Sequence, residues 1–169
     1  MKHIKSISAV FGLLIALSFA TAAQTVNLTS LDGKKVNVTG QTGKIVVLAI
    51  GATWLPLSKD QAAFTNKLAK KYAGRDVEIY FVATDSTNAK SKNFADNAEI
   101  SAFAAKNKLS VTILRDSDGL ITLKKFNVDQ LPSFVILGKD GKPISEPFGG
   151  IDPGSDISIP ISKAIDKVL

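Results

Sequence analysis

Unbroken apolar stretches alternate along the chain with stretches in which apolar residues recur at every fourth position. The continuous, β-branched run at 44–51 is typical of a strand that is buried on both faces of a sheet, and the largely apolar runs at 77–84 and 133–138 predict two further core strands. Weaker strands are predicted at 111–114 and, after a Lys-Asp-Gly-Lys hairpin turn, at the sheet edge over 143–148. The pattern therefore predicts a sheet with a strongly apolar centre.

The first part of the pattern alternates strictly between apolar and polar residues. Val26 and Leu28 come before an Asp32-Gly33 turn, and Val36 and Val38 follow it. Because Asp-Gly between two alternating runs favours a tight reversal, we expect a β-hairpin here.

Helical spacing appears between the strands. Phe64, Leu68 and Tyr72 lie four residues apart and predict a helix directly after the first apolar strand. Asp96 and Glu99 form a capping-box pattern that predicts the start of a second helix. Two further helices are predicted, from about Leu120 to Phe126 and around Ile161, Ile165 and Leu169.

The order of these elements indicates an α/β fold. Strands alternate with helices in the middle of the chain, and two strands and a helix follow at the end. Such alternation predicts a partly parallel central sheet with helices on both faces, finished by an antiparallel hairpin. Since neither a repeat nor a linker is evident, we expect one domain over 24–169.

The first 23 residues have the pattern of a secretory signal peptide. Lys2 and Lys5 precede an apolar run at 9–20, and small residues then allow cleavage after Ala22 or Ala23. The alternative is an uncleaved membrane anchor, but the run is about a dozen residues and a spanning helix needs about 20. We therefore expect a periplasmic or secreted protein without a stable membrane anchor after cleavage.

Composition removes several kinds of chemistry. The 169-residue chain has no cysteine, and its single histidine and single methionine, His3 and Met1, fall in the predicted signal peptide. Residues 24–169 therefore lack the thiolate and imidazole groups of most zinc, copper and haem sites, and they lack Ser-His-Asp and Cys-His nucleophiles. Asp116, Asp118 and Gly119 only weakly match a calcium loop, so no metal or cofactor is predicted. Lysines are dispersed, which argues against nucleic-acid binding.

Several segments together resemble the thioredoxin-like fold, in the exported thiol-disulfide oxidoreductase branch related to cytochrome c maturation and to peroxiredoxins. Residues 31–38 and 43–54 are similar to the family's first hairpin, its core strand and the tryptophan before its redox motif. Residues 131–144 are similar to its cis-proline segment, its last sheet strands and its Asp-Gly hairpin, and shorter similar runs lie at 116–119 and 126–128. The resemblance implies a mixed sheet flanked by helices, with Pro132 in the cis form.

The sequence departs from this family where the family carries its activity. The Trp-Cys-x-x-Cys motif is matched by Trp54-Leu55-Pro56-Leu57-Ser58, so Leu55 stands at the nucleophile position and Ser58 at the resolving position. Alignment to the peroxiredoxin motif instead places Leu57 near the peroxidatic position. Leucine has no lone pair for attack, and a serine hydroxyl is too basic without a histidine beside it. Family-type redox chemistry is therefore not expected.

Two interpretations of the leucines remain open. With Trp54, Leu131 and Pro132, Leu55 and Leu57 would form an exposed apolar patch that docks a peptide or protein partner. Alternatively, they pack locally under a neighbouring loop such as 85–95, a polar stretch that is long enough to form a surface loop. The residues Ser58 to Gln61 also form a capping-box pattern, which predicts that Ser58 caps the following helix, unless the helix begins earlier and Ser58 lies in its first turn.

Three functional hypotheses follow. The chain is a redox-inactive thioredoxin-like protein that binds a peptide or protein partner through 54–58 and Leu131-Pro132, or it is the thiol-disulfide or peroxide enzyme that the resemblance implies. The third hypothesis is a structural or assembly subunit that uses a different surface. The missing cysteines favour the first and third hypotheses over the second.

Overall fold

The structure is a computed structural model that describes residues 25–169. Its strands are β1 Asn27–Ser30, β2 Lys35–Asn37, β3 Ile45–Gly51, β4 Val77–Ala83, β5 Thr112–Arg115, β6 Ser133–Leu137 and β7 Phe148–Gly149. Its helices are α1 Ser58–Lys71, α2 Asn97–Lys106, α3 Thr122–Lys125 and α4 Ser158–Asp166, with a 3-10 turn at Ser117–Gly119. The predicted signal peptide, 1–23, lies outside the described residues. Over 25–169, every helix is too short or too polar to cross a bilayer.

The strands form one mixed sheet in the order β2-β1-β5-β4-β3-β6-β7. β3 runs parallel to β4, and β4 runs parallel to β5, while the other neighbouring strands are antiparallel. Every residue of β3 and β6 is buried, as expected for strands whose sequence is almost entirely apolar. The predicted mixed sheet is therefore confirmed.

Successive residues of β3 supply the two cores on opposite faces of the sheet. One face is covered by α1, α2 and α4, whose Leu68, Ile100 and Ile161 are fully buried. On the other face α3 packs against the sheet, and Val26 and Leu28 belong to the same core. The sheet thus has helices on both faces, as the alternation of elements predicts.

The start of the sheet is a short antiparallel pair. Asn27 lies opposite Asn37, and Thr29 lies opposite Lys35. The chain reverses between them through Gly33, whose φ of +86° is favourable only for glycine. β2 extends over three residues, so this pair is smaller than the alternation from Val26 to Val38 predicts.

The predicted edge strand at 143–148 is wrong for most of its length. Pro143 makes a single bridge to Leu137, and regular pairing with β6 resumes only at Phe148 and Gly149. Pro143 and Pro147 have no backbone N–H to donate, so a proline at each end limits the hydrogen bonding of this segment.

Candidate partner-binding site at the edge shared by β3 and β6

Two loops meet at one edge of the sheet. Residues 52–57 connect β3 to α1, and Leu131-Pro132 leads directly into β6. β3 and β6 are antiparallel neighbours, with Ile50 opposite Ser133, so the end of one strand lies beside the start of the other. The peptide bond between Leu131 and Pro132 is cis. We call residues 54–58 together with Leu131 and Pro132 the β3–β6 edge.

The apolar side chains of the β3–β6 edge differ in their exposure. Trp54 is 51% exposed, and Pro56 is also exposed. Leu55 and Leu57 are half-buried, and Leu57 packs against the core beneath α1. Local packing therefore accounts for Leu57, whereas Trp54 and part of Leu55 are available for contact with another molecule.

The loop before β6 contributes less open surface. Leu131 is half-buried and packs against the core on the α3 side of the sheet, and Pro132 is buried. The exposed apolar area of this edge is therefore centred on Trp54, with Leu55 and the outer part of Leu131 beside it.

The predicted capping box at Ser58 is wrong. α1 begins at Ser58 itself, after Leu57, which already has helical backbone angles (φ −82°, ψ −4°). The helical hydrogen bonds start early, because Ser58 N–H donates to Leu55 O at 3.1 Å and Gln61 N–H donates to Leu57 O at 3.0 Å. Ser58 thus lies in the first turn, the alternative placement considered for it, and its fully buried hydroxyl has no hydrogen-bond partner.

Gln61 is the residue that ties α1 to this edge, and the sequence patterns did not single it out for that role. Its side chain is fully buried, and Nε2 donates to Ile50 O at 3.0 Å and to Ser133 O at 2.8 Å. Its Oε1 lies over Gly51, where a Cβ atom would overlap it. A signal was present in the sequence, because Gln61 is a polar residue on the same helical stripe as Leu68.

Asp85 fixes the start of the loop 52–57, which connects β3 to α1. This residue was predicted to lie in a polar surface loop, but its side chain is fully buried at the end of β4. One carboxylate oxygen accepts from Thr53 N–H at 3.0 Å and from Thr53 Oγ1 at 2.5 Å, and the other accepts from the same N–H at 3.1 Å. The backbone immediately before Trp54 is therefore held in place by a buried carboxylate.

Arg115 secures the segment that follows β4. Its Nη2 donates to Asp85 O at 3.1 Å, and its Nη1 donates to Ala95 O at 2.9 Å and to Asn97 Oδ1 at 3.0 Å. One guanidinium thus links β5 to both ends of the loop between β4 and α2, as the planar fork of arginine allows.

The weak calcium pattern has a structural explanation. Asp116 is buried, and its carboxylate accepts from Ile121 N–H at 3.1 Å, Thr122 N–H at 2.7 Å and Thr122 Oγ1 at 2.6 Å. These contacts provide an acceptor for the backbone N–H groups at the start of α3, which have no partner within the helix. Over 25–169, histidine, cysteine and acidic residues form no group of three or more suited to a metal ion.

Comparison with known proteins shows the family to which the chain belongs. A profile of the AhpC/TSA family matches residues 19–143, well over half of the chain. The chain belongs to the AhpC/TSA family. Among its relatives, the thiol-disulfide oxidoreductase ResA of Bacillus thuringiensis subsp. konkukian is 33% identical over 119 residues, which cover 70% of this chain and 63% of the relative. The chain therefore spans under two thirds of that relative's length.

Solved structures establish the thioredoxin-like fold of this AhpC/TSA member. A putative thiol:disulfide interchange protein DsbE from Chlorobium tepidum superposes with a TM-score of 0.70 at 19% identity, over 85% of this chain and 92% of that one. A secreted Mycobacterium tuberculosis disulfide oxidoreductase homologous to E. coli DsbE gives a TM-score of 0.63 at 24% identity, over 84% and 95%. The fold predicted from the sequence is confirmed.

The chain differs from its relatives in the side chains available for chemistry. The relatives carry names of thiol-disulfide oxidoreductases, whereas this chain contains no cysteine. At the β3–β6 edge, Ser58 has the only side-chain hydroxyl, and it is fully buried. The arrangement therefore offers an apolar contact surface on a well-supported loop, and no exposed nucleophile.

Proposed function

We propose that this chain is a redox-inactive, exported member of the AhpC/TSA family that binds a peptide or protein partner at the β3–β6 edge. The observation that carries the proposal is the complete absence of cysteine from a chain whose relatives are named as thiol-disulfide oxidoreductases. In this proposal Leu55 and Ser58 occupy the two positions of the family's Cys-x-x-Cys motif. Disulfide exchange requires a thiolate, which neither side chain provides.

The binding half of the proposal is supported by the exposure and rigidity of the edge. Trp54 presents half of a large aromatic surface to solvent, and aromatic anchors of this kind dominate many interfaces. Gln61 holds the end of β3 and the start of β6, and Asp85 holds the backbone of Thr53, directly before Trp54. A loop already fixed in one conformation loses less entropy when a partner binds. We expect the backbone of Leu131 to pair with an extended partner segment, as the family resemblance implies.

Reduction of insulin disulfides tests the first half. We expect the wild-type protein to leave the uncatalysed rate unchanged. The double variant Leu55→Cys/Ser58→Cys restores the motif at two positions already linked by a hydrogen bond from Ser58 N–H to Leu55 O. We expect that variant to gain activity if the scaffold still supports the chemistry. Measurable turnover by the wild-type protein would contradict a redox-inactive role.

Capture of partners from an exported protein fraction tests the second half. Leu55→Asp adds a charge to the apolar edge and is expected to abolish capture. Val168→Asp is the matched control, because it adds the same charge at another exposed apolar residue, near the C-terminus. Both variants must first give the circular dichroism spectrum of the folded wild type. Equal capture by both variants would instead support an assembly role through a different surface.

Export itself is part of the proposal. Mass spectrometry of the protein purified from the periplasm or medium is expected to show a chain that begins at Ala23 or Gln24. A full-length chain retained in the membrane fraction would contradict cleavage of 1–23.

A further inference from the structure

A second surface, distant from the β3–β6 edge, has the features of a binding groove. It lies between α1 and α4, has a volume of about 600 Å³, and is lined chiefly by Lys67, Lys71, Ile159, Lys163, Asp166 and Lys167. We call it the α1–α4 groove. Lys67 follows Ser58 by nine residues along α1, which places it roughly 14 Å from the start of the helix at about 1.5 Å per residue. The groove is therefore separate from the site proposed above.

The α1–α4 groove carries an excess of positive charge. Two of its lysines are paired, because Lys67 binds Asp156 and Lys71 Nζ lies 2.9 Å from an Asp166 carboxylate oxygen. Over 25–169, neither Lys163 nor Lys167 forms an ion pair. These two lysines lie four residues apart at the end of α4, where like charges on one helical face repel each other.

The same stripe of α4 exposes an apolar side chain. Ile159 precedes Lys163 by four residues, so the two lie on one face of the helix. Ile159 is 65% exposed, a high value for a residue so apolar. The groove thus combines an apolar contact point with lysines along both of its sides.

The two helices that form the α1–α4 groove are fixed relative to each other. Tyr72 lies just after α1, is buried, and donates its hydroxyl to Ser162 O at 3.1 Å or to the Asp166 carboxylate at 2.8 Å. Asp166 also pairs with Lys71. A groove fixed in this way is available to a partner without rearrangement of the fold.

We infer that the α1–α4 groove binds an acidic amphipathic helix of a partner protein. Carboxylates on both flanks of such a helix would meet the lysines, and its apolar stripe would cover Ile159. A groove between two helices accepts the ridge of a third, whereas a flat bilayer would leave it unfilled. A second copy of this chain fits poorly, because the chain carries a net charge of +6. The inference does not depend on the function proposed above.

The test uses a fluorescein-labelled synthetic peptide and the full exported chain. The peptide is an amphipathic helix of about 18 residues, or five turns, with leucines on one stripe and glutamates on both flanks. We expect saturable binding by fluorescence anisotropy that weakens as salt is added. Lys163→Glu/Lys167→Glu should raise Kd at least about tenfold, a change typical of lost charge complementarity at an interface. Ile159→Ser should raise Kd several-fold without any change of charge.

A matched control separates this site from general attraction between opposite charges. Lys90→Glu/Lys92→Glu makes the same change in net charge on the exposed loop between β4 and α2, and we expect it to leave Kd within about twofold. Leu55→Asp should also leave Kd unchanged, so failure here is distinguishable from failure of the β3–β6 edge. Equal losses in the two double-lysine variants would overturn the inference. The absence of saturable peptide binding by the wild type would also overturn it. A third contrary result would be that binding to phosphatidylglycerol vesicles depends on Lys163 and Lys167 while binding of the peptide does not.

Discussion

Replacing Gln61 by glutamate exchanges one side-chain nitrogen for oxygen in a site built to receive a donor. In the native structure Nε2 donates to the carbonyl oxygens of Ile50 and Ser133, and the side chain is fully buried. An ionised glutamate would hold its negative charge against those two carbonyl oxygens, away from bulk solvent. We therefore predict that Gln61→Glu folds only with its carboxyl group protonated, in which form it donates to one of the two carbonyls.

The size of this effect follows from proton linkage. A glutamate in an unfolded chain has a pKa of about 4.3, and fully buried glutamates reach pKa values of about 8 to 9. At pH 7 the folded variant would thus hold a proton that the unfolded chain has released, at a cost of roughly 3.7 kcal/mol for about 2.7 pKa units. The lost hydrogen bond adds about 1 kcal/mol at any pH. Because the folded pKa is raised, the loss of stability is smallest below about pH 4 and grows as pH rises toward the folded pKa.

Urea unfolding at pH 4 and pH 7, followed by circular dichroism, measures this difference. We expect Gln61→Glu to be less stable than wild type by about 1 kcal/mol at pH 4 and by about 4 to 5 kcal/mol at pH 7. Gln61→Leu is the control, because it removes both hydrogen bonds without adding a titratable group and should show the same deficit at both pH values. An equal deficit for Gln61→Glu at the two pH values would refute the buried contact with the carbonyl oxygens.

Three further predictions concern other parts of the fold. Asp85→Ala should lower the free energy of unfolding by about 2 to 3 kcal/mol, because Thr53 N–H and Thr53 Oγ1 lose their common acceptor. Hydrogen exchange of the Thr53 amide should become faster, and an unchanged rate would contradict this role of Asp85. Hydrogen bonds from Lys34 and then Ser30 lower the pKa of Asp32 from 3.8 to about 2, so its contribution to stability is present above about pH 4 and is lost as pH falls toward 2. Lys34→Met should therefore raise the pKa of Asp32 in a carboxyl NMR titration, and an unmoved value would contradict the pairing. Phe81→Ala should cost about 3 to 5 kcal/mol in thermal unfolding, because the ring is fully buried; a loss below about 1 kcal/mol would contradict that burial.

The central strands are predictable from sequence because a strand that is buried on both faces of a sheet must consist mainly of apolar residues. β3 is apolar throughout, and β4 and β6 are apolar except at Glu78 and Ser133, which favours strands that are buried on both faces of a sheet; the bounds of all three fall within one residue of the predicted runs. The capping box of α2 is also confirmed, since Asp96 and Glu99 each satisfy the backbone N–H of the other. In both cases the information is local.

Predictions failed where a local pattern competes with distant contacts. The residues from Ser58 to Gln61 have a capping-box pattern, yet Leu57 adopts helical angles first and Gln61 turns inward to the carbonyl oxygen of Ser133, 72 residues along the chain. Asp85 follows β4 in a polar stretch and is nevertheless buried, because its partner, Thr53, lies 32 residues earlier. A hydrogen-bonding partner that far away leaves no periodicity in a single sequence.

The hydrogen bonds that support the β3–β6 edge do not involve the side chains of Leu55 or Ser58. Asp85 holds Thr53, and Gln61 holds the ends of β3 and β6 through backbone carbonyls, so each contact is made without a sulfur atom. Substitutions at Leu55 and Ser58 would therefore leave the loop beside Pro132 in position. The edge therefore presents Trp54 and Leu55 in a fixed arrangement without any thiol, and the proposed binding of a partner requires such an arrangement, because a preformed site loses less entropy on binding.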